Sequence, residues 1–357
     1  MRARGRAARG GMIRAAVAVA AVVACAPPRT PAPLARAERL VEIGAWDRAL
    51  AAYDDAIAAC PPRADRDAAR DPCVQALLGR AELLDRMGRG ADAADAYEAI
   101  PAAVGGAPVP TGTALYRAGA LRLRLGDDAR AYALWWRAIA EAPDTTGADD
   151  AVRALLRDGR RRDPRALYRA FAALAERLAD TAIADNLLFA LADLARNELG
   201  EPRTALALYD AIAERWPNGP LFDDALWHGG KLARALGDPR GAVARWRKLL
   251  ATREVAWFNG SYNSEWFDDA WLQIAVTLRD DLGDTRGALA ALAALDRDYP
   301  ASVLRDDAAF ERAATYAAAG DADRACRALA RLRARWPDSK YELERAPALR
   351  ARLACRL

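Results

Sequence analysis

The chain has 357 residues and is 53% hydrophobic, enough to bury an extensive core. Its formal charge is +4, but Arg2, Arg4, Arg6, Arg9 and Arg14 lie before residue 25 with no acid among them, so taking away those five positive charges leaves the remainder at −1. A nearly neutral body with interspersed charges carries no electrostatic footprint for a polyanion, which excludes a nucleic-acid partner at the level of composition.

Residues 1–24 read as a processing segment, an arginine-rich start followed by the apolar run Ala15 to Ala24. That run is far shorter than the roughly 20 residues that span a bilayer, so a cleaved export signal is expected, starting at Met1 or at Met12. The run ends in Val22, Val23, Ala24 and Cys25, which resembles the lipobox of bacterial lipoproteins. The resemblance implies cleavage before Cys25, a diacylglyceryl group on its thiol, and anchoring in a lipid bilayer through several acyl chains. Ala26 follows where an aspartate resembles an inner-membrane retention signal, so the expected location is the bacterial outer membrane, periplasmic side. Residues 25–33 would then be the lipidated cysteine and a proline-rich tether, extended at about 3.1 Å per residue.

From residue 34 the chain repeats. The clearest unit is Leu221 to Leu250, in which apolar residues recur at helical spacing up to Gly237, Gly237 ends one helix, and Pro239 sits in the first turn of the next. Equivalent turn glycines stand at Gly44, Gly88, Gly126, Gly159, Gly200, Gly283 and Gly320, at intervals of 33 to 46 residues. Five residues after the glycine comes alanine in seven of the eight units, and nine residues after it a large side chain: Tyr53, Tyr97, Trp135, Tyr168, Tyr209, Trp246, Leu292 and Leu329. Five units place proline seventeen residues after the glycine, at Pro61, Pro143, Pro217, Pro300 and Pro337. A small residue lies seven or eight positions before each turn, as at Gly119, Ala192 and Gly230.

Small, alanine, aromatic and proline at these offsets resemble the tetratricopeptide repeat over roughly Leu34 to Trp336, with the unit around Gly159 departing most. The expected fold class is therefore all-α, a tetratricopeptide-like α-α superhelix of about eight helical hairpins over residues 34–340, with a C-terminal capping helix at 341–357. The resemblance also implies that the first helix of each hairpin lines a concave groove. With the lipobox and tether, the architecture is similar to that of lipoproteins of outer-membrane assembly and of repeat proteins associated with the Tol-Pal system.

Cys60, Cys73, Cys326 and Cys355 remain after Cys25, and an even number in an exported chain suggests disulfides, although four cysteines allow three pairings. Cys60 and Cys73 flank one loop, and Cys326 and Cys355 flank the turn at Pro337. Residues 102–113, rich in glycine and proline, read as a hinge or a long inter-repeat loop. Acidic pairs recur with the repeat at Asp149 and Asp150, Asp223 and Asp224, Asp268 and Asp269, and Asp306 and Asp307, with Asp185 and Asn186 filling the missing beat, and are expected to cap helices.

The insertion at residues 253–267 carries Trp257, Phe258, Tyr262, Trp266 and Phe267, which either pack on neighbouring helices or recognise a partner. The single histidine, His228, has no nucleophile beside it, and no phosphate loop, CxxC or HExxH is present. Neither an enzyme, a cofactor nor a metal site is expected. The leading expectation is a non-catalytic adaptor that binds envelope proteins or peptide segments. The alternative is a module that binds peptidoglycan or another envelope polymer through the insertion.

Overall fold

The computed structural model describes residues 32–61, 71–252, 254–256, 260–262 and 264–356. Consecutive helices pair into eight hairpins: α1 (Ala32–Glu42) with α2 (Trp46–Ala58), α3 (Pro72–Arg86) with α4 (Gly90–Ala103), α5 (Pro108–Arg124) with α6 (Asp128–Glu141), and α7 (Thr146–Gly159) with α8 (Pro164–Arg177). The others are α9 (Ala184–Asn197) with α10 (Pro202–Arg215), α11 (Phe222–Ala235) with α12 (Pro239–Leu250), α13 (Phe267–Asp280) with α14 (Thr285–Asp298), and α15 (Arg305–Ala318) with α16 (Ala322–Arg335). A π-helical turn (Tyr341–Arg345) and α17 (Ala346–Arg352) close the C-terminal end. Within the insertion, β1 (Glu254–Ala256) and β2 (Gly260–Tyr262) pair antiparallel, Glu254 opposite Tyr262. That small hairpin is the one departure from an all-helical chain among the described residues.

The turn between α11 and α12 shows why the motif folds as it does. Gly237 adopts φ +83°, the amide of Gly237 donates to the Arg234 carbonyl, and that of Asp238 donates to the Ala233 carbonyl, which satisfies the last turn of α11. Asp238 then accepts the Gly241 amide at 2.8 Å and so caps α12, with Pro239 in its first turn. Asp127, Asp163, Asp284 and Asp321 cap their second helices in the same way. Capping thus belongs to the aspartate of the turn. The periodic acidic pairs sit inside the first turn of the odd-numbered helices, where α11, α13 and α15 have no side-chain cap. Asp268 does accept the next amide, that of Asp269, but the pairs mostly brace one hairpin to the next, which corrects the capping expectation.

The core is not one mass but a succession of apolar clusters between neighbouring hairpins, as a solenoid requires. Trp135, Tyr97, Tyr209 and Trp246 are fully buried at the large position of their units, and the small residue of the motif makes room for them. A Cβ on Gly230 would lie 2.3 Å from Trp246 Nε1, and one on Gly119 2.4 Å from Trp135 Nε1. Odd-numbered helices touch the next odd-numbered helix, as α5 touches α7 and α13 touches α15, while successive even-numbered helices lie farther apart and meet through long side chains, as Arg130 of α6 with Glu98 of α4 and Arg245 of α12 with Asp210 of α10. The odd helices therefore form the inner layer of the curved array and the even helices splay on the outer one. The chain is an α-α superhelix of eight hairpins with a terminal cap.

Residues 102–113 are not a loop in the main. Helix α5 begins at Pro108, leaving a short turn through Gly105 and Gly106, both at positive φ. The fourth hairpin differs for a local reason. Gly159 lies inside α7 and lacks the positive φ of the other turn glycines, and the turn runs through Arg160 to Asp163 instead.

Cys60 is bonded to Cys73, with Cα atoms 5.9 Å apart, and Cys326 to Cys355, with Cα atoms 5.5 Å apart. Each bond fastens an end of the array, where a hairpin has a neighbour on one side only. In the chain-entropy model closure of loops of this size contributes about 3 kcal/mol apiece. No described helix is long and apolar enough to cross a membrane. Residues 1–24, Cys25 and the tether up to residue 31 lie outside the described residues.

Candidate partner-binding groove

In the last four hairpins the inner layer carries a large apolar side chain three residues before the small position of the motif: Phe189, which is half-buried, and Trp227, Leu272 and Phe310, which are buried in the core beneath it. Beside these runs a stripe of cations, Arg196, Lys231, Arg234 and Arg279. Residues one or two turns apart on the same helix share a face, so α9, α11 and α13 each edge an apolar face with a cation.

Between α9 and α13 this surface is densest. Trp266, at the start of α13, stacks on Trp227 with ring centroids 5.0 Å apart and planes 13° apart, and donates its Nε1–H to Asp224 at 2.8 Å. Lys231 sits over the Trp227 ring at 5.4 Å. His228 stacks with Tyr209 and meets Phe189 and Trp266 edge-on. Its Nδ1 accepts from Arg196 at 3.2 Å, which places the proton of the neutral ring on Nε2. Burial, with Arg196 and Lys231 adding repulsion, pushes the His228 pKa down to about 4, so it is neutral at physiological pH and acts as an aromatic wedge between hairpins. Among the described residues no nucleophile contacts it.

The acidic pairs edge the same layer. Asn186 donates to Asp149 at 3.0 Å, Ser302 to Asp268 at 2.6 Å and Ser339 to Asp306 at 2.6 Å, while Tyr341 donates to Asp307. Each bond joins one hairpin to the entry of the next. Burial raises the carboxyls of Asp149, Asp185, Asp223, Asp269 and Asp307 above the usual range. At the C-terminal end, Phe310 stacks on Tyr341 at 5.1 Å and Arg279 pairs with the buried Glu311. Phe310, Arg279 and Glu311, with Arg345, line a cavity of about 490 Å³ beneath the cap.

Of the insertion's five aromatics, Phe267 is 2% exposed and belongs to the core between α11 and α13, so it is not available to a partner. Trp266 is half-buried over Trp227. Tyr262 lies in β2, and its side chain, like Trp257 and Phe258, lies outside the described residues. Phe189, half-buried in the groove, and Trp227 and Phe310, packed in the core beneath it, were missed by reading the sequence through its turns. Their own repeat, three before the small position, was a signal that could have found them.

With the fold and groove in place, comparison with known proteins locates the family resemblance. Residues 269–302 and 307–339 match the tetratricopeptide-repeat family. These are α13 with α14 and α15 with α16, the two hairpins before the cap. A search of curated proteins found no match. Among solved structures, PilW, a widely conserved type IV pilus biogenesis factor, is 15% identical with a TM-score of 0.38, over 76% of this chain and 97% of PilW. The pilF protein of Pseudomonas aeruginosa is 14% identical with a TM-score of 0.42, over 68% of this chain and 97% of its own. YrrB, a tetratricopeptide-repeat protein with an unusual peptide-binding site, is 15% identical with a TM-score of 0.38, over 72% of this chain and 98% of YrrB.

Proposed function

We propose that this protein is a non-catalytic scaffold that holds polypeptide segments of envelope proteins along its inner layer, tethered through an acylated Cys25 to the periplasmic face of the outer membrane. The observation that carries the binding reading is the half-buried rings of Phe189 and Trp266 on the inner layer beside Arg196 and the exposed Lys231. Aromatic anchors flanked by cations bury apolar side chains of an extended or helical segment and pair with its acidic ones. The tetratricopeptide match in the last two hairpins supports an interaction scaffold over other helical folds. The lipobox-like Val22 to Cys25 supports the anchor.

Cross-linking in intact cells, followed by purification of the anchored protein and mass spectrometry, tests the adaptor. Recurrent cross-links from α9, α11 and α13 to one envelope protein, lost in a K231E/W266A variant, are the expected result. Recovery with wall fragments alone would replace the protein partner by peptidoglycan, for which the exposed side of Trp266 offers a stacking surface. A C25A variant should leave the membrane fraction on washing without detergent; if it stays, the anchor is wrong.

A further inference from the structure

Outside the groove, the outer face of the last two hairpins holds a concentration of one charge that the balanced net charge conceals. Helix α16 carries five arginines and a single aspartate in fourteen residues. Because α14 and α16 splay apart, α15 floors a cleft between them, a cavity of about 570 Å³ that continues along α14 past Leu289 and Ala293. Arg305 and Arg312 project into it from α15, and Arg324, Arg327, Arg331 and Arg335 from α16. Two of these six are neutralised locally, Arg312 by Asp296 at 2.6 Å and Arg324 by Asp321 at 2.5 Å. Arg305, Arg327, Arg331 and Arg335 have no ion-pair partner among the described residues, and Arg305 Nε is buried without an acceptor. An unpaired guanidinium nitrogen held out of water favours an incoming oxyanion.

We propose that this cleft binds an acidic peptide segment, at a site separate from the inner groove and not dependent on that reading. The distribution of charge decides the class of ligand. From Arg324 to Arg335 the guanidiniums follow one face of α16 over eleven residues, about 16 Å at 1.5 Å per residue, so they suit carboxylates spread along a chain rather than a single phosphate. The cleft is recessed between two helices, a shape that admits a strand of polypeptide and not the plane of a bilayer. Its aromatic rings are already occupied: Arg305 and Arg335 lie over Trp336 at 5.6 and 5.9 Å, and Arg324 over Tyr316 at 5.4 Å. Rings covered by guanidinium groups offer bases no stacking platform, which disfavours single-stranded nucleic acid. Arginine forks pair carboxylates bidentately, and Leu289, Ala293, Ala309 and Ala328 supply the apolar patches that accompany a peptide backbone.

The test is fluorescence anisotropy with the oxidised chain from Ala26 onward and a labelled octapeptide containing six glutamates. Expected is saturable binding that weakens at least tenfold in R327E/R331E, an exposed pair whose replacement leaves the circular dichroism spectrum unchanged, and that is unaffected by K231E in the inner groove. Saturable binding undiminished in R327E/R331E would overturn the site. Equal or tighter competition by tripolyphosphate, by an oligo-dT of eight nucleotides or by phosphatidylglycerol vesicles would overturn the peptide assignment, and no peptide binding at 50 mM salt would overturn the proposal altogether.

Discussion

The fourth and sixth hairpins carry the same motif and fold differently. In the sixth, α11 and α12 pack along their whole length, joined by a tight turn with Gly237 at φ +83° and Asp238 capping the second helix. In the fourth, α7 and α8 barely touch; α7 lies on α5 and α6, and α8 packs on α9. The cause is a second pair of glycines. Gly147 at the start of α7 meets Gly112 in α5 so closely that a Cβ on Gly147 would lie 2.2 Å from the Gly112 carbonyl carbon. That backbone contact draws α7 towards the preceding hairpin, and the turn from Arg160 to Asp163 spans the opening that results. A helix goes where its backbone can approach most closely, even when a turn motif invites it elsewhere.

The largest expected effect breaks that contact. Gly147→Ala sets a methyl group against backbone that no rotamer change can move, and should lower the stability of the oxidised chain by about 3 kcal/mol, read as a shift of the urea midpoint by circular dichroism. A midpoint within error of the unaltered chain would show that the α5–α7 crossing does not hold the fourth hairpin open.

In the sixth hairpin the corresponding close approach is side chain to backbone. Gly230→Ala should cost about 2 kcal/mol, because the new Cβ falls on the Trp246 indole. Adding Trp246→Leu should recover part of that loss, since the leucine yields the space; no recovery would place the damage elsewhere.

The turn glycines sharpen the comparison further, with opposite signs from one substitution. Gly237→Ala forces an L side chain to positive φ and should destabilise by about 1 kcal/mol. Gly159→Ala removes a flexible residue from inside α7, meets the movable end of Leu167 at 3.2 Å and the Tyr132 ring at an ordinary 3.7 Å, and should stabilise by about 0.5 kcal/mol. Equal losses at the two positions would mean that Gly159 is a turn glycine after all.

The smallest effect concerns His228, which bridges the fifth and sixth hairpins. Its folded pKa of about 4 lies below the ordinary 6.5, so the folded chain takes up its proton later than the unfolded one. The stabilisation is complete above pH 6.5 and is lost as pH falls towards 4. Solvent reaches part of the ring, so the loss should stay below about 1 kcal/mol. His228→Gln should remove that part of the pH dependence, the difference between its melting curve and that of the parent being read at pH 7 and pH 5. An unchanged difference would mean the ring is already protonated or fully solvated.

How much of this was legible varies residue by residue. Turn glycines, the large residue nine positions on and the small residue before the turn specified the hairpins, because each acts over a few residues of its own helix pair. The acidic pairs were visible as a period but misread as caps, since their partners Asn186, Ser302, Ser339 and Tyr341 stand one repeat away in sequence. Of the insertion, Phe267 and Trp266 are adjacent in sequence, yet the first is core and the second lies over Trp227.

By itself, then, the sequence determined what local chemistry controls: where helices end, which face is apolar, how many hairpins there are, and which positions must be small. Tertiary structure decided what depends on contact between repeats. It set α7 against α5, made a neutral wedge of His228, and brought the arginines of α15 and α16 into one cleft, because these outcomes rest on distances between segments that no local spacing encodes.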